Sequence, residues 1–162
     1  MFTFRPERPE EGPEIDGLLD TSFGPGRFAK TAYRLREGVA PIEALSFVAE
    51  EDGSLRATIR YWPVRVGGQP CLMLGPVAVL PEHRGREIAV GLMNLTLKAA
   101  AKLGHRAAIL VGDEPYYARV GFARVPKGQM TMPGPVDYAR LLARDLAEGG
   151  LAELSGAISR AI

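Results

Sequence analysis

Two arginines and a glycine stand where a helix begins. His83-Arg84-Gly85-Arg86 runs into Glu87, Ile88 and Ala89, and apolar residues then recur at helical spacing as far as Leu103. The first N–H groups of a helix lack internal partners and sit at the positive end of its dipole. With guanidinium groups beside them they suit a phosphate or pyrophosphate. The same residues also suit a plain polar loop, because helix starts favour anions in general. Just upstream, residues 71–80 are almost wholly apolar, and Gly75-Pro76 interrupts them. Proline has no N–H to give a ladder, so a strand carrying it should bulge or splay, leaving amides and carbonyls open to a ligand.

These groups need elements to hold them. The apolar run is too short to span a bilayer and reads as a strand buried on both faces. In the helix, residues about 100° apart place Glu87, Gly91, Asn94, Lys98 and Lys102 on one solvent stripe. Ile88, Leu92, Leu95, Ala99 and Leu103 form an apolar face, widened by Val90, Met93, Leu97 and Ala100 and broken by Thr96; Gly104 is the stop. Upstream, residues 2–5 read as a short strand closed by Pro6. Residues 14–23 read as a helix ended by Gly24-Pro25-Gly26, and 27–37 as a second helix with Phe28, Ala32 and Leu35 on one side. Strands over 45–49 and 55–61 flank a Glu51-Asp52-Gly53 hairpin turn, with Leu55, Ala57, Ile59 and Tyr61 sharing one face. Downstream come a strand over 107–111, a short helix from Pro115 and a strand opened by Phe122. Residues 138–147 suit a helix by their leucines and alanines or a strand with Leu142 and Ala143 on opposite faces, and propensity favours the helix.

A chain of 162 residues, 46% hydrophobic and 24% charged, suits one domain over 1–162. Its net charge of +1 gives no argument for nucleic acid, and no basic run is interleaved with aromatics. One cysteine, Cys71, excludes an internal disulfide and a cysteine metal site, and His83 and His105 lack partners at ligand spacing. The charged start MFTFRPERPEE has no signal-type apolar stretch, so a cytoplasmic protein is expected. Neither a GxxxxGK[ST] loop nor a GxGxxG after a strand is present. Trp62 and the methionines suit core or rim positions.

Residues 84–89 resemble motif A of the GNAT superfamily of N-acetyltransferases, of the bacterial acetyltransferase type, whose pattern is Arg or Gln, two residues, Gly, one residue, then Gly or Ala. Arg84 and Ala89 match its ends, while Glu87 stands at its first glycine. Tyr116-Tyr117-Ala118-Arg119-Val120-Gly121-Phe122 is similar to the family's aromatic-Tyr-x-x-x-Gly-Phe segment, at family-like spacing. The resemblance implies an α/β (α+β) GNAT fold, a mixed, mostly antiparallel twisted sheet splayed at the central strand and flanked by helices. It implies two late strands, near 141–145 and 156–160, as a closing antiparallel pair. It implies acetyl-coenzyme A as cosubstrate, with no metal. Pantetheine would lie along Val77, Ala78 and Val79, and the pyrophosphate on Arg84, Gly85, Arg86, Glu87, Ile88 and Ala89. An amine acceptor would attack the thioester through a tetrahedral intermediate, with Tyr117, poised by the start of the Pro115 helix, as general acid. Glu43, Asp113 and Glu114 are candidate bases and equally ordinary surface carboxylates; Phe23, Phe28 and Tyr33 suit an acceptor pocket or plain packing. The expected partners are that acceptor, with room for a homodimer and no nucleic acid or membrane. Against the active enzyme stands a GNAT-fold module that binds acetyl-coenzyme A without turnover, the reading Glu87 keeps open.

Overall fold

Strand-forming residues crowd the first half of the chain, and successive strands pair with one another. In this computed structural model, which describes residues 2–24, 30–84 and 87–161, β1 (Thr3–Pro6), β2 (Phe47–Glu51), β3 (Ser54–Val66) and β4 (Gln69–Val79) form an antiparallel meander. β5 (Ala107–Val111) adds to β4 in parallel. β8 (Leu141–Asp145) pairs antiparallel with β5, and β6 (Ala123–Arg124) antiparallel with β8. β9 (Gly156–Arg160) returns to Val64–Val66 at the far end of β3 and also takes β7 (Met130–Thr131). The fold is thus a mixed, mostly antiparallel open sheet. The two late strands form at the expected residues, but they do not pair with each other: β8 lies beside β5 and β9 beside β3.

Register explains which residues reach which face. Asp52 and Gly53 both take left-handed backbone, φ 53° and 76°, the conformation a tight hairpin turn needs. A bulge then shifts the β2–β3 register between Ala49 and Glu50. Because side chains alternate, one extra residue moves what lies beyond it to the other face. Leu55 therefore packs with Val48 and Ala78 under α1 (Gly12–Phe23), whereas Ala57, Ile59 and Tyr61 pack under α3 (Ile88–Lys102). The expected four-residue face is divided between the two sides of the sheet. Strand β2 also starts later than expected, at Phe47, since Glu43–Leu45 forms a tight 3-10 turn.

The helices cover both faces. Ile15, Leu18 and Leu19 of α1 are buried, as their spacing predicts. In α3 the buried set is Ile88, Ala89, Leu92, Met93, Thr96, Leu97 and Ala100, while Leu95 is 36% and Leu103 57% exposed. The helix is rolled toward Thr96 relative to the expected face. Thr96, wholly buried, donates to the Leu92 carbonyl at 2.7 Å and meets the Tyr61 hydroxyl at 2.7 Å, which satisfies both polar groups. Gly91 leaves the solvent stripe as well, because a Cβ there would come within 2.8 Å of the Phe4 ring. The second helix, expected over 27–37, is only α2 (Thr31–Arg34) among the described residues. The following N–H groups of Leu35, Arg36 and Val39 bond to carbonyls three residues back, so the chain winds in tight turns. Phe28 lies outside the described residues. No helix among those described is long and apolar enough to cross a membrane.

Candidate active site

The sheet opens where Gly75-Pro76 interrupts β4. Opposite this dipeptide, the β3–β4 register shifts between Ile59 and Tyr61, leaving Arg60 to face two unpaired residues. The Trp62 indole N–H donates to the Gly75 carbonyl at 2.6 Å and holds the distorted backbone from below. On the other edge β4 pairs with β5 only at Leu72–Ala108 and Met73–Ile109. Beyond Met73 the parallel neighbours separate. Val77, Ala78 and Val79 are bound to β3 on one side and present their other edge to the gap.

That gap is a cleft of about 470 Å³. Val77, Ala78, Val79, Arg84, Glu87, Ile88, Ala89 and Tyr117 all line it, so eight of the residues singled out from the sequence meet at one place. Gly85 and Arg86 lie outside the described residues. The helix α3 starts at the cleft: the first helical bond runs from the Gly91 N–H to the Glu87 carbonyl at 3.0 Å, leaving earlier N–H groups without a helical acceptor. Arg84 Nε donates to the Val79 carbonyl at 3.3 Å, tying the loop to the end of β4. Glu87 has φ 62°, the left-handed region that favours glycine, the residue the GNAT pattern has at this position. Its carboxylate is exposed and ion-paired to Arg119.

A second cavity of about 510 Å³ adjoins the first, and Phe23, Val77, Asp113, Tyr116 and Tyr117 line both. Tyr117 closes α4 (Glu114–Tyr117) and packs edge-on to Tyr116 at 5.0 Å and to Phe122 at 6.4 Å. Its ring lies where a side chain on Gly112 would be, so Gly112 must be small for contact reasons alone. Burial, with Tyr116 and Asp113 nearby, pushes the Tyr117 phenol up to about 12. The expected poising by the helix start is not found: Tyr117 ends its one-turn helix, and its surroundings hold the proton more tightly.

Of the three candidate bases only Asp113 lines the cavities, and its carboxylate accepts from Arg140 at 2.6 Å. Glu114 accepts from the Arg124 backbone N–H at 2.9 Å instead, and Glu43 lies in the exposed turn before β2. Phe23 and Tyr33 line the second cavity. Sequence reasoning missed Arg119, Arg36 and Gly112; Arg119 could have been noticed as a cation three residues after Tyr116, over whose ring it lies at 5.6 Å. Cys71 is buried in β4, which pushes its thiol up to about 12 and away from nucleophilic use. Among the described residues no three His, Cys, Asp or Glu side chains cluster as a metal site.

A sheet split between parallel neighbours, with a helix N-terminus at the split, defines the GNAT class of fold. The chain belongs to that family: the sequence model of the Acetyltransferase (GNAT) domain matches residues 3–125. Among curated proteins it is similar to the uncharacterized N-acetyltransferase YhbS of Escherichia coli, 29% identical over 157 residues, covering 95% of this chain and 93% of that one. The crystal structure of Escherichia coli YhbS in complex with CoA superposes with a TM-score of 0.84 at 28% identity, over 98% of this chain and 89% of the other. A GNAT acetyltransferase from Brucella melitensis, crystallised with acetyl-CoA, is 34% identical with a TM-score of 0.64, over 76% of this chain and 83% of that chain.

Proposed function

We propose that this chain, as one domain over residues 1–162, transfers the acetyl group of acetyl-coenzyme A to an amine by direct attack. The observation that carries the reading is that the open edge of β4, the N-terminus of α3 and Tyr117 line one cleft. Relatives bound to CoA and acetyl-CoA support it. Pantetheine would pair along Val77, Ala78 and Val79 as an added strand. The pyrophosphate would take the unpartnered N–H groups at the start of α3, together with Arg84, Gly85 and Arg86.

In the reaction a neutral amine attacks the thioester carbonyl, and a C–N bond forms. A backbone N–H of the opened strand stabilises the oxyanion. Collapse breaks the C–S bond, Tyr117 gives its proton to the departing thiolate, and the phenolate recovers a proton from water or the acetylated ammonium. Tyr117 stays protonated throughout the neutral range. The transfer is uphill for an isolated pair, yet the burial that raises the phenol raises the thiol beside it too, which keeps the difference small.

The test is Tyr117→Phe, which keeps the ring and removes the hydroxyl. Acetyl-coenzyme A affinity by calorimetry should be retained, while turnover falls about 10²–10⁴-fold, the scale of general acid catalysis. Wild-type turnover on an acceptor for which chemistry limits the rate would remove Tyr117 from the mechanism.

A further inference from the structure

The second cavity contains a half-buried cation, Arg36, that no acid among the described residues balances. Arg36 lies beneath Tyr33 and Trp62, its guanidinium carbon 4.4 Å from one ring centre and 5.4 Å from the other. Its Nε is buried without a hydrogen-bond partner. An Nη atom reaches the Gly75 bulge, 3.0 Å from where a Cβ would be. Burial draws its pKa down to about 10, so it is still charged at neutral pH; the groups acting on that charge are the Tyr33 phenol, which accepts a hydrogen bond from it, and the like-charged Arg60. Of the neighbouring carboxylates, Asp113 is bound to Arg140, Asp137 to the Ala139 N–H and Glu7 to Arg60, while Asp16 and Glu37, which line an adjoining pocket with Arg36, are not among the groups acting on its charge. A half-buried guanidinium without a counter-charge carries a desolvation cost that an anionic ligand would offset.

Position says what that ligand is. Arg36 touches the β4 side of the opening at Gly75, and Tyr117 fills the β5 side at Gly112, with one cavity between them. We infer that Arg36 is the specificity-determining residue of the acceptor pocket and selects an amine that also carries a carboxylate. The planar guanidinium, fixed by two rings, presents a fork matched to a carboxylate, and one cation balances one monoanion. Lys30 and Arg140 also line the cavity, but Arg140 is spent on Asp113. The inference rests on the amine-acetylating reading above.

The probes are matched pairs: free amino acids beside their C-terminal amides, short peptides with free or amidated ends, and phosphoethanolamine as a phosphate-bearing amine. Thiol release and direct calorimetric binding are both measured on the full chain. The carboxylates should exceed their amides by about 10–100-fold, mostly through KM, since hydrogen bonds to a charged group carry this discrimination. Free amino acids against peptides tells whether the carboxylate belongs to a small molecule or a chain end. In Arg36→Met, and in Arg36→Lys should the first fail to fold, the ratio should fall toward one, with the lysine keeping an intermediate preference. A carboxylate preference in binding that Arg36→Met removes supports the subsite even if no amine turns over, an outcome that would count against the transferase reading alone. Equal use of acids and amides by the unaltered protein, or preference for the phosphate, overturns it.

Discussion

Glu87 shows how a single residue carries both conformational and electrostatic information. Among the described residues only Asp52 and Glu87 take positive φ without being glycine. A non-glycine residue in that region costs roughly 1–2 kcal/mol, so some local gain is expected, and the pair with Arg119 is the visible one. Both partners are largely exposed, so the pair adds little to stability. Its larger effect is on the cleft's charge: Glu87 and Arg119 both line it, and the pair neutralises a carboxylate that would oppose a pyrophosphate bound as proposed. Glu87→Gly should relieve the backbone and release Arg119 toward the phosphates. Acetyl-coenzyme A affinity should then rise by about 1 kcal/mol or less, because solvent screens the exposed charge, and the melting temperature should not fall. Calorimetry and thermal melting read both. Binding that appears only in the variant would favour the non-catalytic module. The sequence located Glu87 by motif position alone; its partner, 32 residues away, is a tertiary contact that no local pattern encodes.

At the scale of elements, periodicity found strands and helices but misjudged two faces, that of β3 across its bulge and that of α3. β5 lies where expected because a short apolar run between turn residues leaves little choice, whereas β8 and β9 were legible only through the family resemblance, propensity alone favouring a helix over 138–147. The roll of α3 was hidden because treating Thr96 as a polar interruption ignores that a hydroxyl can be satisfied inside. Leu95 and Leu103 go to solvent so that Thr96 can meet Tyr61. Since Thr96 donates to Leu92, the Tyr61 hydroxyl must be the donor between the two. Thr96→Val therefore strands a buried phenol and should cost about 1–3 kcal/mol, while Tyr61→Phe leaves Thr96 still bonded and should cost about 0.5–1.5. The double variant should be little worse than Tyr61→Phe, since no polar group is then left alone. Urea denaturation of the four proteins tests this, and additive losses would rule out the coupling. The α2 region is shorter than its periodicity predicts: after Arg34 the N–H groups of Leu35, Arg36 and Val39 bond three residues back, and the Thr31 hydroxyl at its start donates to the distant Pro135 carbonyl, a contact no local pattern encodes.

For the whole molecule, the sheet is two pieces joined at a narrow seam. β1–β4 with α1 and α3 form one side, β5, β6 and β8 the other, and the β4–β5 ladder joins them only at Leu72–Ala108 and Met73–Ile109. Cores on both faces help hold the sides together, with Leu74, Leu92, Leu110 and Phe122 in one cluster and Met73, Ile109 and Ala143 in another. The sequence marked the split through Gly75-Pro76 and the start of α3, the proposed phosphate site, through residues 83–89. It did not mark how far the seam reaches, because a parallel neighbour is added only after the long α3 crossover. A cofactor bound in the split would connect the open edge of β4, the start of α3 and the Tyr117 side across it. Such a ligand binds the folded chain and not the unfolded one, so it stabilises by mass action, about 2.7 kcal/mol at one hundred times its dissociation constant. At this chain length that corresponds to a rise in melting temperature of roughly 5–10 °C. Hydrogen exchange should slow most at Val77–Val79, whose N–H groups on the open edge gain a partner. The Arg84→Ala, Arg86→Ala double variant should keep its unliganded melting temperature but bind about 1–3 kcal/mol more weakly, so at the same concentration its shift shrinks. A full shift in that variant would move the phosphates away from the start of α3, and no protection at Val77–Val79 would move the pantetheine off β4.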